Sequence, residues 1–316
     1  MIATKILKLN LYNYCMKKLI RNFLNRRGYD IVKTGIPYIR QSKKPGIAKV
    51  GRFDILMPGN NVQLVNYKIY PDLNGQLGRL AAAIYQKYQQ MSIVDVGANV
   101  GDTIAVIKSA VDVPVIGIEG DEISFQFLVK NIKQFSNVSI VKTFLSDKSH
   151  DEKVSFEKGG WNATIIPDQQ GGKIVSFKTL DEVITSEGFD LAEIKLLKVD
   201  VEGFDTIVLR GASKIIEKHK PVLFFEYNGE NMKAIKEEGL PTLLSFKRLG
   251  YNRILFFDHK GNLVLATDMK NEEVIAWMHT YISSQKNLLG YYDICIFHEE
   301  DNFIAENFTN GEKKYL

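Results

Sequence analysis

The sequence contains few cysteines and no long apolar run. Only two cysteines occur among 316 residues, and Cys15 and Cys295 have no partner at disulfide-framework or metal-ligand spacing. No stretch reaches the roughly 20 consecutive apolar residues of a membrane-spanning helix. Lys5 and Lys8 interrupt the apolar N-terminus, and no small-residue cleavage site follows, so no signal peptide is predicted. A disulfide-stapled secreted scaffold is therefore excluded, and a cytoplasmic protein is predicted.

Acidic residues are nearly missing from the first 50 positions. These positions hold eight Lys and four Arg against Asp30 alone, a net charge of +11, whereas the remaining residues carry −7. Apolar residues recur in this segment at helical spacing, at Leu9, Tyr12, Met16, Leu19 and Phe23. We predict a basic helical extension over residues 1–50. Two roles stay open: the helix packs its apolar stripe on the main domain, or residues 1–30 contact an anionic membrane at its inner face.

The rest of the composition is that of a globular protein. Apolar residues make up 45% and charged residues 25% of the chain, and the length allows one large domain with an appendage. Residues 51–90 contain a strand and a helix that lead into the core, and Asn74 is predicted to cap that helix, which ends near Gln90. We expect the core domain over residues 91–300 and a polar tail over residues 301–316.

Within the core, apolar strands alternate with helices. The strands are expected at residues 92–96, 115–119, 138–143, 194–199 and 222–227, followed by 253–257 and 292–297. The alternation predicts an α/β fold with a right-handed, mostly parallel, doubly wound sheet. The pattern breaks over residues 151–178, which we interpret as an inserted hairpin or flap.

A glycine turn follows the first core strand. The sequence SIVDVGANVGDT, residues 92–103, has Gly97 and Gly101 at G-x-x-x-G spacing, whereas dinucleotide-binding turns have G-x-G-x-x-G. Asp95 and Asp102 flank the turn and would repel a diphosphate. The motif therefore favours a cationic or zwitterionic ligand and disfavours an NAD-dependent dehydrogenase, with a purely structural turn as the alternative.

Two carboxylates follow the next two strands. Glu119 lies 22 residues after Gly97, at the position where a carboxylate accepts hydrogen bonds from both hydroxyls of a ribose. Asp147 follows the third strand and is predicted to accept a hydrogen bond from the adenine amine, with a turn-capping role as the alternative. The pattern indicates a cofactor with a ribose and no need for a phosphate-binding turn.

More carboxylates gather after the fourth and fifth strands. Asp200, Glu202 and Asp205 follow one strand, and Glu226 ends the next. Like charges at one sheet edge require a cation, a hydrogen-bond network or shifted pKa values. Asp205 is the best candidate for a purely structural role, as a cap of the helix after Gly203.

These motifs together resemble a known family. The sequence contains, in order, VDVGANVGDT, IGIEGD, LSD, LKVDVEGFDTIVLRGA and KPVLFFEYN. Over about residues 92–228 it is similar to FkbM-type S-adenosylmethionine-dependent methyltransferases, which usually have Glu in place of Asp205. The resemblance implies a Rossmann-like fold of seven strands, one of them antiparallel, with S-adenosylmethionine as the cofactor. It also implies an O-methyltransferase acting on a hydroxyl of a sugar, glycan or secondary metabolite.

The resemblance also implies roles for single residues. Gly97 and Gly101 would let the backbone pass under the methionine part of the cofactor, and Asp95 would meet its ammonium, directly or through water. The predicted cofactor-binding residues are Asp95, Gly97, Ala98, Asn99, Gly101, Asp102, Thr103, Glu119, Gly120, Ser146, Asp147 and Asp200. Methyl transfer to a hydroxyl needs alignment and a base, for which Asp200, Glu202 and Glu226 are the candidates. No metal site is predicted.

The acceptor site is expected outside these shared motifs. Trp161, Asn162 and Thr164 in the flap are predicted to stack on and hydrogen-bond a small-molecule or glycan acceptor, with simple packing of Trp161 as the alternative. No nucleic-acid partner is predicted, because the acidic body would repel a polyanion. Two rival functions stay open: a nucleic-acid methyltransferase that uses the basic segment, and a nonenzymatic membrane-associated protein that retains the fold.

Overall fold

The structure is a computed structural model that describes residues 44–159, 162–167, 172–189, 193–284 and 289–315, with backbone alone at 156–159 and 162–167. Most of the predicted basic helix, including residues 1–30 and their expected membrane contact, lies outside these ranges. Within them, no helix has the length and apolar character needed to cross a bilayer.

The described elements follow one another as strands interspersed with helices. The strands are β1 (Gly46–Val50), β2 (Phe53–Met57), β3 (Ser92–Val96), β4 (Val115–Glu119), β5 (Val138–Lys142), β6 (Phe144–Leu145), β7 (His150–Gly159), β8 (Asn162–Pro167), β9 (Lys173–Lys178), β10 (Ile194–Val199), β11 (Val222–Tyr227), β12 (Tyr251–Phe257), β13 (Leu263–Asp268) and β14 (Tyr292–His298). The helices are α1 (Gln63–Ile69), α2 (Gly75–Lys87), α3 (Asp102–Ala110), α4 (Glu122–Asn131), α5 (Leu180–Ser186), α6 (Asp205–Arg210), α7 (Ser213–His219), α8 (Gly229–Ala234), α9 (Leu240–Ser245), α10 (Glu272–Ser283) and α11 (Asn302–Glu312).

A mixed sheet forms the centre of the fold, in the order β13-β12-β14-β11-β10-β3-β4-β5. The five strands from β11 to β5 are mutually parallel, as predicted, and β3 and β10 are buried along their whole length. The mostly apolar side chains of β3 and β10 are covered on both faces of the sheet. The predicted α/β class with a mostly parallel sheet is confirmed.

The sheet has one strand more than the seven expected. The additional strand is β13, which pairs antiparallel with β12, so that β13 and β14 both run against the parallel strands. The Asp258 carboxylate closes this hairpin, because it accepts hydrogen bonds from the backbone N–H groups of Lys260 and Asn262. Gly261 supplies the positive φ that the tight turn requires.

The inserted segment forms a second, smaller sheet rather than a simple hairpin. Its strand order is β6-β9-β7-β8, and β6 and β9 pair in parallel. Phe177 on β9 lies between His150 and Phe204, with ring centroids 5.1 Å and 6.3 Å away. These rings attach the small sheet to the loop that follows β10.

An N-terminal hairpin packs beside the glycine turn. The Asn131 side chain accepts a hydrogen bond from the Leu56 N–H and donates to the carbonyls of Leu56 and Val100. This amide therefore fixes β2 against the β3–α3 turn. Asn74 immediately precedes α2, but the expected capping hydrogen bond is absent among the described residues, because Asn74 adopts a φ of 61° and its amide donates to the Tyr67 hydroxyl. The helix ends at Lys87, before the predicted Gln90.

The predicted polar tail is instead a packed helix. Helix α11 buries Ile304, Ala305 and Phe308, which follow one another at steps of one and three residues on one face. Its last residue, Glu312, accepts two hydrogen bonds from the Arg79 guanidinium, at 2.7 Å and 2.8 Å. The apolar positions and this bidentate ion pair explain why the segment does not fray.

Candidate active site

A cavity of about 490 Å³ lies at the carboxyl ends of the parallel strands. Gly97 after β3, Glu119 at the end of β4, Asp200 after β10 and Glu226 near the end of β11 all line it. Doubly wound sheets bind their ligands at this edge, because the loops that follow the strands diverge there.

The glycine turn is closely packed against the neighbouring strands. Gly97 has a φ of 74°, and a Cβ at this position would lie 1.8 Å from the Asp200 carbonyl oxygen. The N–H groups of Gly97 and Ala98 both donate to the Ile118 carbonyl, at 2.9 Å and 3.0 Å. Only glycine therefore fits between the ends of β3 and β10, and the turn leaves its outer face open to the cavity.

Glu119 is held rigidly by backbone groups. Its Oε2 accepts from the Asn99 N–H at 2.8 Å, and its Oε1 accepts from the Asp121 N–H at 2.7 Å. Burial raises the pKa of Glu119 to about 7, although these hydrogen bonds act in the opposite direction. Each oxygen keeps a second lone pair, so the carboxylate can still accept from two ligand hydroxyls.

A buried lysine lies beneath the turn. Lys198 Nζ lies 3.0 Å from Asp95 Oδ1, donates to the Gly97 carbonyl at 3.1 Å and lies 3.6 Å from Asp200 Oδ2. Burial alone would lower the pKa of this ammonium, but Asp95 and Asp200 raise it above its ordinary value. Lys198 was not predicted as a site residue, although a lysine inside a buried strand is a visible signal, since such a charge needs a partner.

This ion pair corrects the predicted role of Asp95. The residue is fully buried and does not line the cavity; one oxygen faces Lys198 and the other accepts from the Thr103 hydroxyl at 2.6 Å. Asp95 therefore supports the turn from below, and its position outside the cavity lining contradicts the predicted direct contact with the cofactor ammonium. Asp205 is likewise buried and accepts from the N–H groups of Val201 and Gly203, which fixes the turn before α6.

Only some of the predicted cofactor-binding residues line the cavity. The predicted residues that line it are Gly97, Asn99, Asp102, Thr103, Glu119, Gly120 and Asp200. Ala98, Gly101, Ser146 and Asp147 do not line it. The Asp147 carboxylate lies 3.5 Å from Arg210 Nε and lines a separate open groove with Thr179 and Asp181, so its predicted contact with the adenine of a cofactor in the cavity is wrong.

The three predicted catalytic carboxylates all line the cavity. Glu202 accepts from the Asn231 amide at 2.8 Å, and Glu226 accepts from the Asn228 amide at 3.2 Å. Burial and the neighbouring Asp200 raise the pKa of Glu202 to about 7 and that of Glu226 well above its ordinary value.

Asp293 joins these carboxylates and was not predicted. It is the register partner of Glu226 on the neighbouring strand β14, lines the cavity and accepts from the Gln76 amide at 3.3 Å. Burial raises its pKa to about 8. Across the described part of the chain, no three His, Cys, Asp or Glu side chains are arranged to hold a metal ion.

Aromatic side chains line another part of the cavity, whereas the side chains of the predicted acceptor-binding residues are not described by the structure. Phe144, Phe177 and Phe204 line the cavity from the small sheet and the β10–α6 turn. Trp161, a predicted acceptor-binding residue, lies outside the described residues. Asn162 and Thr164 lie in β8, where the structure describes the backbone alone, so their acceptor role stays a prediction.

Comparison with known proteins identifies the family. A model described as the methyltransferase FkbM domain matches residues 95–253, half of the chain. The chain therefore belongs to the FkbM methyltransferase family, which confirms the resemblance in the sequence, and this family implies S-adenosylmethionine as the cofactor. No curated protein matched the chain.

Several solved methyltransferase structures are similar to parts of this chain at low sequence identity. The FkbM methyltransferase of Methylobacillus flagellatus is 20% identical, with a TM-score of 0.32, over 53% of this chain and 41% of its own length. A precorrin-6y C5,15-methyltransferase of Geobacter metallireducens is 10% identical (TM-score 0.34; 69% and 87% covered). A SAM-dependent methyltransferase of Aquifex aeolicus is 9% identical (TM-score 0.34; 66% and 82% covered). The chain thus spans about two fifths of the Methylobacillus protein.

The residues around the turn fit this cofactor. The backbone approach at Gly97 leaves no room for a side chain, and Glu119 retains acceptor capacity for two hydroxyls. Asn99 lines the cavity, and its buried Oδ1 accepts no hydrogen bond from any described residue, so it can accept one from a ligand ammonium or hydroxyl. Glu119 would hold the ribose, and Gly97 with Asn99 would hold the methionine part.

Proposed function

We propose that the chain is an O-methyltransferase whose acceptor is a hydroxyl group of a sugar, glycan or hydroxylated metabolite. The observation that carries this proposal is the position of Glu202 and Glu226 in the cofactor cavity, with pKa values raised by burial. An alcohol loses its proton as the new C–O bond forms, so its methylation needs a nearby proton acceptor. A carboxylate with a pKa near neutrality is a better acceptor than one near 4.5.

Some residues of the chain would align the cofactor with the acceptor hydroxyl, and others would accept the proton of that hydroxyl. When bound, S-adenosylmethionine supplies an electrophilic methyl group. Gly97 and Glu119 would hold the cofactor in the cavity. Asp200, Glu202 and Glu226 line the same cavity and would orient the acceptor hydroxyl. One of these three carboxylates receives the hydroxyl proton as the acceptor oxygen takes the methyl group.

The proposal is tested by a methyl-transfer assay on a panel of hydroxylated acceptors, with nitrogen and carbon acceptors assayed beside them. Single Asp200→Asn, Glu202→Gln and Glu226→Gln variants remove each candidate base while preserving size. We expect kcat to fall about 10²- to 10⁴-fold in the variant that removes the base. Glu217→Gln, on the exposed face of α7, is the matched control and should keep full activity. Full activity in all three cavity variants, or transfer only to nitrogen or carbon acceptors, would contradict the proposal.

A further inference from the structure

One wall of the cavity comes from residues that precede the family-matched segment. It is formed by the loop after β2, by α1 and by the residue before α2, and we call it the amide wall. Its polar members are Asn60, Asn61, Gln63, Asn66 and Asn74. Pro58 and Val62 are the other cavity-lining residues of this region, so the wall has no charged side chain.

Internal hydrogen bonds hold the amide wall in place. Asn61 is buried, and its Oδ1 accepts from the Gln63 N–H at 2.8 Å. Gln63 Oε1 accepts from the Asn66 amide at 3.0 Å, and the Asn74 amide donates to the Tyr67 hydroxyl at 3.3 Å. The wall is therefore ordered before a ligand arrives, which reduces the entropy lost on binding.

The same amides keep hydrogen-bonding capacity for a ligand. Each amide has two N–H donors and an acceptor oxygen, and these internal bonds use only one end of each side chain. Among described residues, Gln63 Nε2, Asn66 Oδ1 and Asn74 Oδ1 have no protein partner. Mixed donors and acceptors without charge match hydroxyl groups, which donate and accept at the same atom.

The remaining charges of the cavity restrict the ligand further. Asp200, Glu202, Glu226 and Asp293 all line it, and the positive side chain that lines it, Lys198, already contacts Asp95, Asp200 and the Gly97 carbonyl. A phosphate or carboxylate on the acceptor would find no free cation among the described lining residues, whether these carboxyl groups are ionised or protonated. Unpaired anions in such a site carry a large electrostatic cost.

We propose that the amide wall is the acceptor subsite, that it binds an uncharged, hydroxyl-rich group such as a sugar ring, and that the cavity excludes phosphorylated forms of that group. This inference rests on the proposed function for its identification of the acceptor as an alcohol. It assigns acceptor selection to residues 60–74, outside the segment that the family model matches.

The test compares acceptor binding with cofactor binding in one double variant. Gln63→Met with Asn66→Leu removes the amides at nearly constant size, and Gln86→Met, exposed on α2, is the control. Binding of methyl pyranosides and of the matching sugar 6-phosphates is measured by NMR titration in the presence of S-adenosylhomocysteine. Calorimetry measures the Kd of S-adenosylhomocysteine itself.

We expect at least one methyl pyranoside to bind the wild-type chain and to bind the double variant at least tenfold more weakly. The Kd of S-adenosylhomocysteine should change less than twofold, and each 6-phosphate should bind more weakly than its parent sugar. The inference is overturned if no pyranoside binds, if a phosphate binds more tightly, or if the double variant weakens only S-adenosylhomocysteine. A pyranoside that binds through the wall but is never methylated supports the subsite and contradicts the O-methyltransferase proposal instead.

Discussion

Lys198 and Asp95 form a buried ion pair that joins two neighbouring strands directly beneath the glycine turn that follows β3. The two residues are register partners on β10 and β3, and their charged atoms lie 3.0 Å apart. Lys198 also donates to the Gly97 carbonyl, so the pair fixes the turn as well as the sheet. The glycine turn is therefore stabilised by a lysine from a distant part of the sequence.

Removal of this cation should destabilise the fold. We expect Lys198→Met to lower the free energy of unfolding by about 3–5 kcal/mol, because Asp95 is left as a buried, unpaired carboxylate. Adding Asp95→Asn to this variant should recover part of the loss, since the unpaired charge is gone. Urea unfolding of the two single variants and the double variant measures the coupling. Strictly additive losses would show that the pair does not act as a unit.

Gly97 should tolerate no side chain. An alanine there would place its Cβ 1.8 Å from the Asp200 carbonyl oxygen, and the positive φ alone costs about 1–2 kcal/mol. We expect Gly97→Ala to lower the melting temperature and to abolish detectable S-adenosylmethionine binding. Gly311→Ala in α11 is the control, because nothing lies within 4 Å of its added Cβ. That control should leave stability unchanged or raise it by about 0.5–1 kcal/mol.

The buried carboxylates should make stability fall as pH rises. Burial raises the pKa of Glu202 to about 7 and that of Asp293 to about 8. Between about pH 5 and pH 8 the folded chain therefore binds more protons than the unfolded chain, and the free energy of unfolding decreases with pH. We expect Asp293→Asn to flatten this decrease in a series of urea titrations. A decrease of the same size in wild type and variant would exclude Asp293 as a contributor.

The sequence predicted the parallel part of the site because sheet geometry determines it. Residues that follow parallel strands meet at one edge, so Gly97, Glu119, Asp200 and Glu226 could be placed together from their positions after apolar runs. Asp293 could not be placed in this way, because β14 is antiparallel and its N-terminal end lies at that edge. A prediction based only on the residues that follow strands therefore does not include Asp293, which lies near the start of its strand.

Side-chain partners explain the other differences between prediction and structure. Asp95 and Asp147 stand at motif positions, but neither lines the cavity, because Asp95 pairs with Lys198 and Asp147 pairs with Arg210. The amide wall carries no recognisable motif, since its residues come from a loop and a short helix brought to the cavity by the Asn131 hydrogen bonds. Contacts between segments distant in sequence determine which of these residues line the cavity. The spacing of residues along the chain does not predict such contacts.

Calorimetric titration of S-adenosylmethionine into the wild-type chain and into Glu119→Ala tests the central claim most directly. Glu119 is predicted to hold the ribose while its two oxygens accept from the N–H groups of Asn99 and Asp121. We predict saturable binding to wild type and a Kd at least about tenfold higher in the variant, the effect of losing roughly 1.4 kcal/mol. An equal Kd in both proteins, or no binding to wild type, would contradict the assignment of this cavity to the cofactor.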